Sequence, residues 1–137
     1  MKLIPLLLLV VIACWTQATI FEASGIMQCS LPGQTWCVHL YLYEIDLIKD
    51  DLLGEKGRLC TSGKQVKYLV EGEEDGDGIW DDHYELKLKA RHNCSTHGEL
   101  LDVWSYEKSA PVNSKYMIDF PWSYNLTDKG IRVPGKD

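Results

Sequence analysis

Two stretches of this chain repeat with a period of two, and that period fixes the fold class. In residues 35–44, Trp36, Val38, Leu40 and Leu42 fall on one face, and Cys37, His39, Tyr41 and Tyr43 on the other. In residues 83–93, Tyr84, Leu86, Leu88, Ala90 and His92 alternate with Glu85, Lys87, Lys89 and Arg91. Successive strand side chains point to opposite faces, so both runs read as strands. The second has one buried and one solvated face. The first carries bulk on both faces and belongs inside a sheet. Shorter strands are predicted over residues 25–31, 59–61, 66–70, 100–106 and 115–120, with Pro32-Gly33 and Ser62-Gly63 as turns. Residues 46–57 read as a charged connection, and 71–82 as a Gly- and Asp-rich loop. No long stretch carries the helical period. About seven strands at this spacing predict an all-β, antiparallel two-sheet sandwich.

The first 18 residues read as an export signal. Lys2 precedes an apolar run over residues 3–13, too short for a bilayer, and Thr16-Gln17-Ala18 supplies small residues for cleavage after Ala18. Val11-Ile12-Ala13-Cys14 also fits a bacterial lipoprotein cleavage pattern, but the remaining features suit a eukaryotic secretory product. Residues 19–137 are then one domain, large enough to bury a core without metal. No later run approaches membrane length, so the mature chain is expected not to span a bilayer.

The whole chain has 14 Lys and Arg against 20 Asp and Glu, a net charge of −6, and loss of Lys2 makes it more negative. That balance argues against nonspecific nucleic-acid binding, which needs excess cation. Cys14 leaves with the signal, and Cys29, Cys37, Cys60 and Cys94 remain. In an oxidising compartment four cysteines make two disulfides by one of three connectivities. Neither cysteines nor histidines are spaced for zinc. Sequons begin at Asn93 and Asn125, and glycosylation is expected chiefly at Asn125.

Candidate sites are few. No nucleophile elbow, zinc-protease helix or cofactor motif is present, so the chain reads as a non-enzyme with no cofactor. His92, facing inward with Leu88 and Ala90, reads as a structural histidine. Glu73, Asp75, Asp77 and Asp81, with Gly78, echo the carboxylate spacing of a calcium loop, but Tyr84 stands where a bidentate Glu is needed. Lys87, Lys89 and Arg91 form a basic stripe, with Lys64 and Lys67 on neighbouring strands. Such a stripe suits an anionic lipid headgroup. Trp104, Tyr106, Trp122 and Tyr124 can furnish a binding patch or fill the core.

Five segments together resemble the nematode transthyretin-like family, secreted proteins related in fold to transthyretin. They are the strand ending at Cys29 with Pro32-Gly33, then Val38-His39-Leu40-Tyr41-Leu42-Tyr43-Glu44, and Asp50-Asp51-Leu52-Leu53. After these come Leu88-x-x-x-His92-x-Cys94 and Ile118-Asp119-Phe120-Pro121-x-x-Tyr124. The resemblance covers most of residues 25–130 and implies a transthyretin-like sandwich acting as an extracellular binding or signalling module. Its partner would be an unidentified extracellular protein or lipid. A carrier for a small apolar ligand or anionic lipid is an alternative, predicting a continuous apolar pocket. A hydrolase related to the hydroxyisourate hydrolases is another, predicting His and Arg converging in a cleft. That branch ends in Tyr-Arg-Gly-Ser, which Ile131-Arg132-Val133-Pro134 does not match. The family's final strand is shortened or missing here, and Cys37 and Cys60 are extra.

Hairpin geometry sets Cys37, early in one strand, opposite Cys60 in the next. That leaves Cys29 for Cys94, whose strand ends, by resemblance to transthyretin, lie at one end of the sandwich in opposite sheets. Non-reducing peptide mapping of the secreted chain should give Thr19 as the N-terminus, with 37–60 and 29–94 linked peptides. A 29–37 or 29–60 peptide would show a wrong register.

Overall fold

The computed structural model describes residues 18–75, 82–112, 114 and 116–135. The export signal therefore lies outside the described residues, apart from Ala18. Among the described residues ten strands follow in order. They are β1 (Thr19–Gln28), β2 (Trp36–Glu44), β3 (Asp51–Thr61), β4 (Gln65–Glu74) and β5 (His83–His92). The rest are β6 (Leu101–Trp104), β7 (Lys108–Pro111), β8 (Ile118–Pro121), β9 (Tyr124–Asn125) and β10 (Ile131–Arg132). One sheet runs β4-β1-β8, with β9 continuing along β1. The other runs β10-β6-β5-β2-β3, with β7 continuing along β5. Because β7 prolongs the line of β6, and β9 that of β8, the ten segments occupy seven strand lines plus the two-residue β10. The pairings are antiparallel except β1 with β8 and β9, which are parallel.

The core lies between the sheets and follows the period-two pattern. Phe21, Ala23 and Met27 from β1 meet Leu40 and Leu42 from β2, and Tyr84, Leu86 and Leu88 from β5. Phe21 and Tyr84 pack edge to face, with ring centroids 5.0 Å apart, at the end where both strands begin. Tyr68 lies in the core and donates its hydroxyl to the Trp122 carbonyl at 2.6 Å. Burial pushes the Tyr68 phenol well above its ordinary range. β2 is paired on both sides, as its two bulky faces require.

Several expected boundaries move. The first strand begins at Thr19, not residue 25, and Leu31 lies beyond it. A Cβ at Gly25 would overlap the Trp122 carbonyl oxygen, so a glycine inside β1 permits close approach of the following chain. The expected connection over 46–57 is mostly strand, since β3 starts at Asp51. Its charged residues stand on an exposed edge, where burial does not impose alternation. Two register shifts against β2 further blur its pattern. A Cβ at Gly54 would strike the Glu71 carbonyl, so β3 touches β4 of the opposite sheet backbone to backbone. Residues 71–74, read as loop, belong to β4. β7 carries no apolar alternation to announce it.

Cys29 is bonded to Cys94, with Cα atoms 5.9 Å apart, and Cys37 to Cys60, at 4.0 Å. The first bridge is buried and joins the two sheets; the second lies on the outer face between β2 and β3. The longer loop should constrain the unfolded chain by about 4 kcal/mol and the shorter by about 3. Replacing Cys29 and Cys94 by Ala should therefore lower the urea midpoint more than replacing Cys37 and Cys60 by Ala. Equal losses would mean the buried bridge is not the principal staple.

Candidate functional site

The outer face of the five-stranded path carries the expected basic stripe, but each cation is engaged. Lys87 Nζ is 3.0 Å from Glu107 Oε2. Lys89 Nζ lies 4.5, 5.0 and 5.4 Å from the ring centroids of Tyr41, Tyr43 and Trp104, and donates to the Tyr43 hydroxyl at 3.2 Å. Arg91 donates through Nε and Nη2 to both Asp102 carboxylate oxygens, each at 2.7 Å. Cross-strand neighbours on one face produce these pairs, because Arg91 stands opposite Asp102 and Lys89 opposite both Tyr41 and Trp104. Lys67 does not join the stripe, since it stands exposed on β4 in the other sheet; Lys64 immediately precedes that strand. The expected free anionic-lipid patch is thus a ladder of satisfied cations and stacked rings, with His39 over Tyr41 at 4.1 Å.

Three arginines come together at the adjoining end of the sheet. A cavity of about 620 Å³ is lined by Arg91, His97, Glu99, Leu100, Arg132 and Val133, among others. A second, of about 280 Å³, is lined by His39, Arg58, Arg91, Asn93 and Leu100 with Cys37 and Val38. The two share Arg91 and Leu100. Register sets His39 beside Arg91 and Arg91 beside Asp102 on the outer face, whereas Arg132 pairs with buried Leu101 and so leaves β10 on the other side of the sheet. Arg58 falls in the β2–β3 register shift between Val38 and Leu40. Arg58 makes no ion pair among the described residues, and Arg132 meets Glu99 only at 3.8 Å. Leu100 is an exposed apolar floor between the arginines.

The loops around the larger cavity are held from below. The Asp128 carboxylate accepts the Thr96 backbone N–H at 2.6 Å and its hydroxyl at 2.7 Å, which holds Asp128 below the usual carboxylate range. The Asp128 N–H donates to the Cys94 carbonyl. His92 is fully buried. Its Nδ1 accepts the Cys94 N–H at 3.2 Å, so Nε2 carries the proton and donates to the Lys129 carbonyl at 3.0 Å. It is structural, as its inward position suggested.

Other expected residues stand apart. Trp122 is core, whereas Trp104, Tyr106 and Tyr124 are exposed, so the four aromatics form no single patch. The Tyr106 hydroxyl donates to the Pro121 carbonyl, and Lys108 Nζ to that of Asp119, covering the edge of β8. Of the calcium-loop set, Glu73 is exposed on β4 and Asp75 follows it; Asp77 and Asp81 lie outside the described residues. Glu44, Asp46 and Asp51, which the sequence reading passed over, bring carboxylate oxygens within 4.8 Å of one another. Oxygen donors of that kind suit a hard cation. Asn125 is exposed and donates Nδ2 to the Ser30 hydroxyl at 3.1 Å. Asn93 accepts the Cys37 N–H at 2.7 Å and lines the smaller cavity, so a glycan there would begin inside it. No helix among the described residues is long and apolar enough to cross a membrane.

Burial depresses the His92 pKa below its ordinary 6.5, despite the opposing Lys129 carbonyl. The unfolded chain therefore takes up this proton first. The stability contributed by neutral His92 is complete above about pH 6.5 and is lost as pH falls toward the depressed folded value. Urea midpoints of the native protein should drop between pH 7.5 and pH 5 more steeply than those of His92→Gln. Parallel slopes would remove His92 from the acid response.

A family model described as "Caenorhabditis elegans protein of unknown function (DUF870)" matches residues 24–132. Over 81 residues the chain is 29% identical to "Uncharacterized protein B0416.7" of Caenorhabditis elegans, covering 59% of this chain and 60% of that protein. The chain thus spans under two-thirds of that relative. A solved structure, an alternative pilotin from the type II secretion system of Vibrio cholerae, superposes with a TM-score of 0.48 at 14% identity. The superposition covers 80% of this chain and 96% of the pilotin.

Proposed function

We propose, for a chain that belongs to this Caenorhabditis elegans family of unknown function (DUF870), that it is a secreted, non-enzymatic binding module which engages an anionic extracellular partner. One observation carries the reading: Arg58, Arg91 and Arg132 line two adjoining cavities on a chain whose overall charge is negative. Guanidinium forks match carboxylate, sulfate and phosphate oxygens two at a time. Two disulfides support an oxidising compartment, and the export signal supports secretion. A transthyretin-like build is supported by where the resembling segments lie. The Asp51-Leu52-Leu53 segment opens β3, His92-x-Cys94 reaches the inter-sheet bridge, and Ile118 to Tyr124 runs along β1.

The carrier alternative gains little from the larger cavity, where Arg91, Arg132, His97 and Glu99 stand among the lining; the smaller is more apolar, with Val38 and Leu100, but is shared with Arg58 and Arg91. One observation favours the hydrolase alternative: Arg91, His97 and Arg132 share a cavity. Catalysis by a histidine base needs a partner that orients the ring. His97 bonds through its backbone N–H to the Ser95 hydroxyl, and its imidazole has no hydrogen-bond partner among the described residues.

The reading is tested by titrating the disulfide-bonded protein with inorganic sulfate while following side-chain and amide resonances. Shifts should concentrate on Arg58, Arg91, Arg132 and Leu100, and hydroxyisourate should not be turned over. Shifts confined to Lys87 and Lys89, or none at all, would overturn the site. Turnover lost in a His97→Ala variant would overturn the non-enzyme reading.

A further inference from the structure

The two disulfides stand in opposite surroundings. Cys29 and Cys94 are 1% and 0% exposed, which shuts their sulfurs away from any dissolved thiol. Cys60 is exposed on the outer face of edge strand β3, and Cys37 is half-buried opposite it on β2. Cys37 also lines the smaller cavity, with His39, Arg58, Arg91, Asn93 and Leu100 around it. Register brings these groups together. Arg58 precedes Cys60 by two residues and falls in the β2–β3 shift opposite His39, and His39 stands beside Arg91. The Asn93 side chain fixes the Cys37 backbone, accepting its N–H at 2.7 Å. An accessible disulfide thus opens into a hollow flanked by two guanidiniums.

Resting on the anionic-partner reading above, we infer that this cavity is a modification site, where a small carboxylate-bearing thiol exchanges with the Cys37–Cys60 disulfide. The thiolate of that compound attacks the exposed Cys60 Sγ. A bond forms between those two sulfurs, the Cys37–Cys60 bond breaks, and its electron pair leaves as the Cys37 thiolate. A second molecule then attacks the first molecule's sulfur in the mixed disulfide, releasing the Cys60 thiolate and the oxidised small disulfide. The protons of the two attacking thiols end on Cys37 and Cys60. Two small thiols are oxidised and one protein disulfide is reduced. The exchange is stoichiometric, so it asks for no catalytic turnover.

The arginines act on both partners. Arg58 takes the larger share of the incoming carboxylate, because Arg91 is already bonded to Asp102. Positive charge beside Cys37 favours its departure as a thiolate, and a thiol that ionises more readily leaves faster. Once opened, the bridge no longer ties β3 to β2, its one hydrogen-bonded neighbour among the described residues. Arg58 rides on that freed segment, so opening loosens the anion site, while the buried Cys29–Cys94 bridge still joins the sheets.

The test treats the disulfide-bonded protein with reduced glutathione, which is anionic, or with cationic cysteamine, followed by alkylation and non-reducing peptide mapping. Each rate is divided by that of the same thiol on a small neutral disulfide, which removes differences in nucleophilicity. Glutathione should open Cys37–Cys60 about tenfold faster than cysteamine at low salt, as expected for one charge-assisted pair, and leave Cys29–Cys94 intact. Added salt should shrink the preference. Arg58→Ser should erase it, Arg58→Lys should keep most of it, and Lys87→Ser should leave it unchanged. Arg58 is exposed, and near-UV circular dichroism checks that its variants remain folded. Equal rates for the two thiols, a preference that survives Arg58→Ser, or opening of Cys29–Cys94 at the same pace overturns the exchange site. If inorganic sulfate still shifts the arginine resonances in that case, the anionic site stands. Loss of both the thiol preference and the sulfate shifts overturns both readings.

Discussion

The buried Cys29–Cys94 bridge is the constraint on which the functional end of this molecule depends. It joins the end of β1 to the residue just beyond β5, and so ties one sheet to the other where no helix among the described residues covers either. The backbone around Cys94 is then used twice more: its N–H binds His92, and its carbonyl accepts from Asp128. His92 in turn holds the Lys129 carbonyl, and Asp128 holds Thr96. Two loops that would otherwise diverge, 93–98 and 126–130, become one unit. That unit carries His97 and leads into β10, with Arg132 on it. Without the bridge, the larger cavity has no fixed wall.

The opposite end is closed by different physics. Phe21 and Tyr84 meet edge to face, and the Tyr84 hydroxyl reaches Thr19 Oγ1, while Thr19 donates to the Val112 carbonyl. Aromatic packing gives contact area without covalent constraint. Leu47 and Ile48 stand fully exposed at the β2–β3 connection on this end. The sandwich is therefore asymmetric along its strands: disulfides, sequons and arginines at one end, carboxylates and apolar loop residues at the other. The open edge of the smaller sheet is blunted by side chains, since Tyr106 and Lys108 occupy carbonyls of β8 that another chain could have paired with.

How much of this could be read in the sequence divides along physical lines. β2 and β5 were legible because burial forces strict alternation on strands inside a sheet. The Cys37–Cys60 pair follows from β2 and the strand after it, whereas Cys29–Cys94 comes by elimination, with the resemblance to transthyretin setting the two strand ends together. Only residues 59–61 of β3 are legible, because an edge strand with Gly54 and Gly57 and outward charges obeys no such rule, and β7 is hidden because Lys108-Ser109-Ala110-Pro111 offers one buried residue. The basic stripe was read correctly as a face but not as a chemistry. Its partners Glu107, Asp102, Tyr43 and Trp104 come from other strands, and only register says that they arrive. The grouping of Arg58, Arg91 and Arg132 around two cavities is illegible for the same reason: they lie on three strands far apart in the chain. Arg58 could have been found only by noticing an arginine beside Cys60, whose bridge to Cys37 brings it next to His39.

Pairing also decides which cations can act. Lys89 sits over three rings with its ammonium already bonded, and moving it toward a ligand would give up cation–π attraction and a hydrogen bond together. It is a fixed part of the face. Arg91 is intermediate, bound to one carboxylate in a geometry that a second anion can share or contest. Arg58 and Arg132 are exposed and lightly held, so an approaching anion meets them first. An anion of single charge gains one exposed contact, screened by salt and worth little.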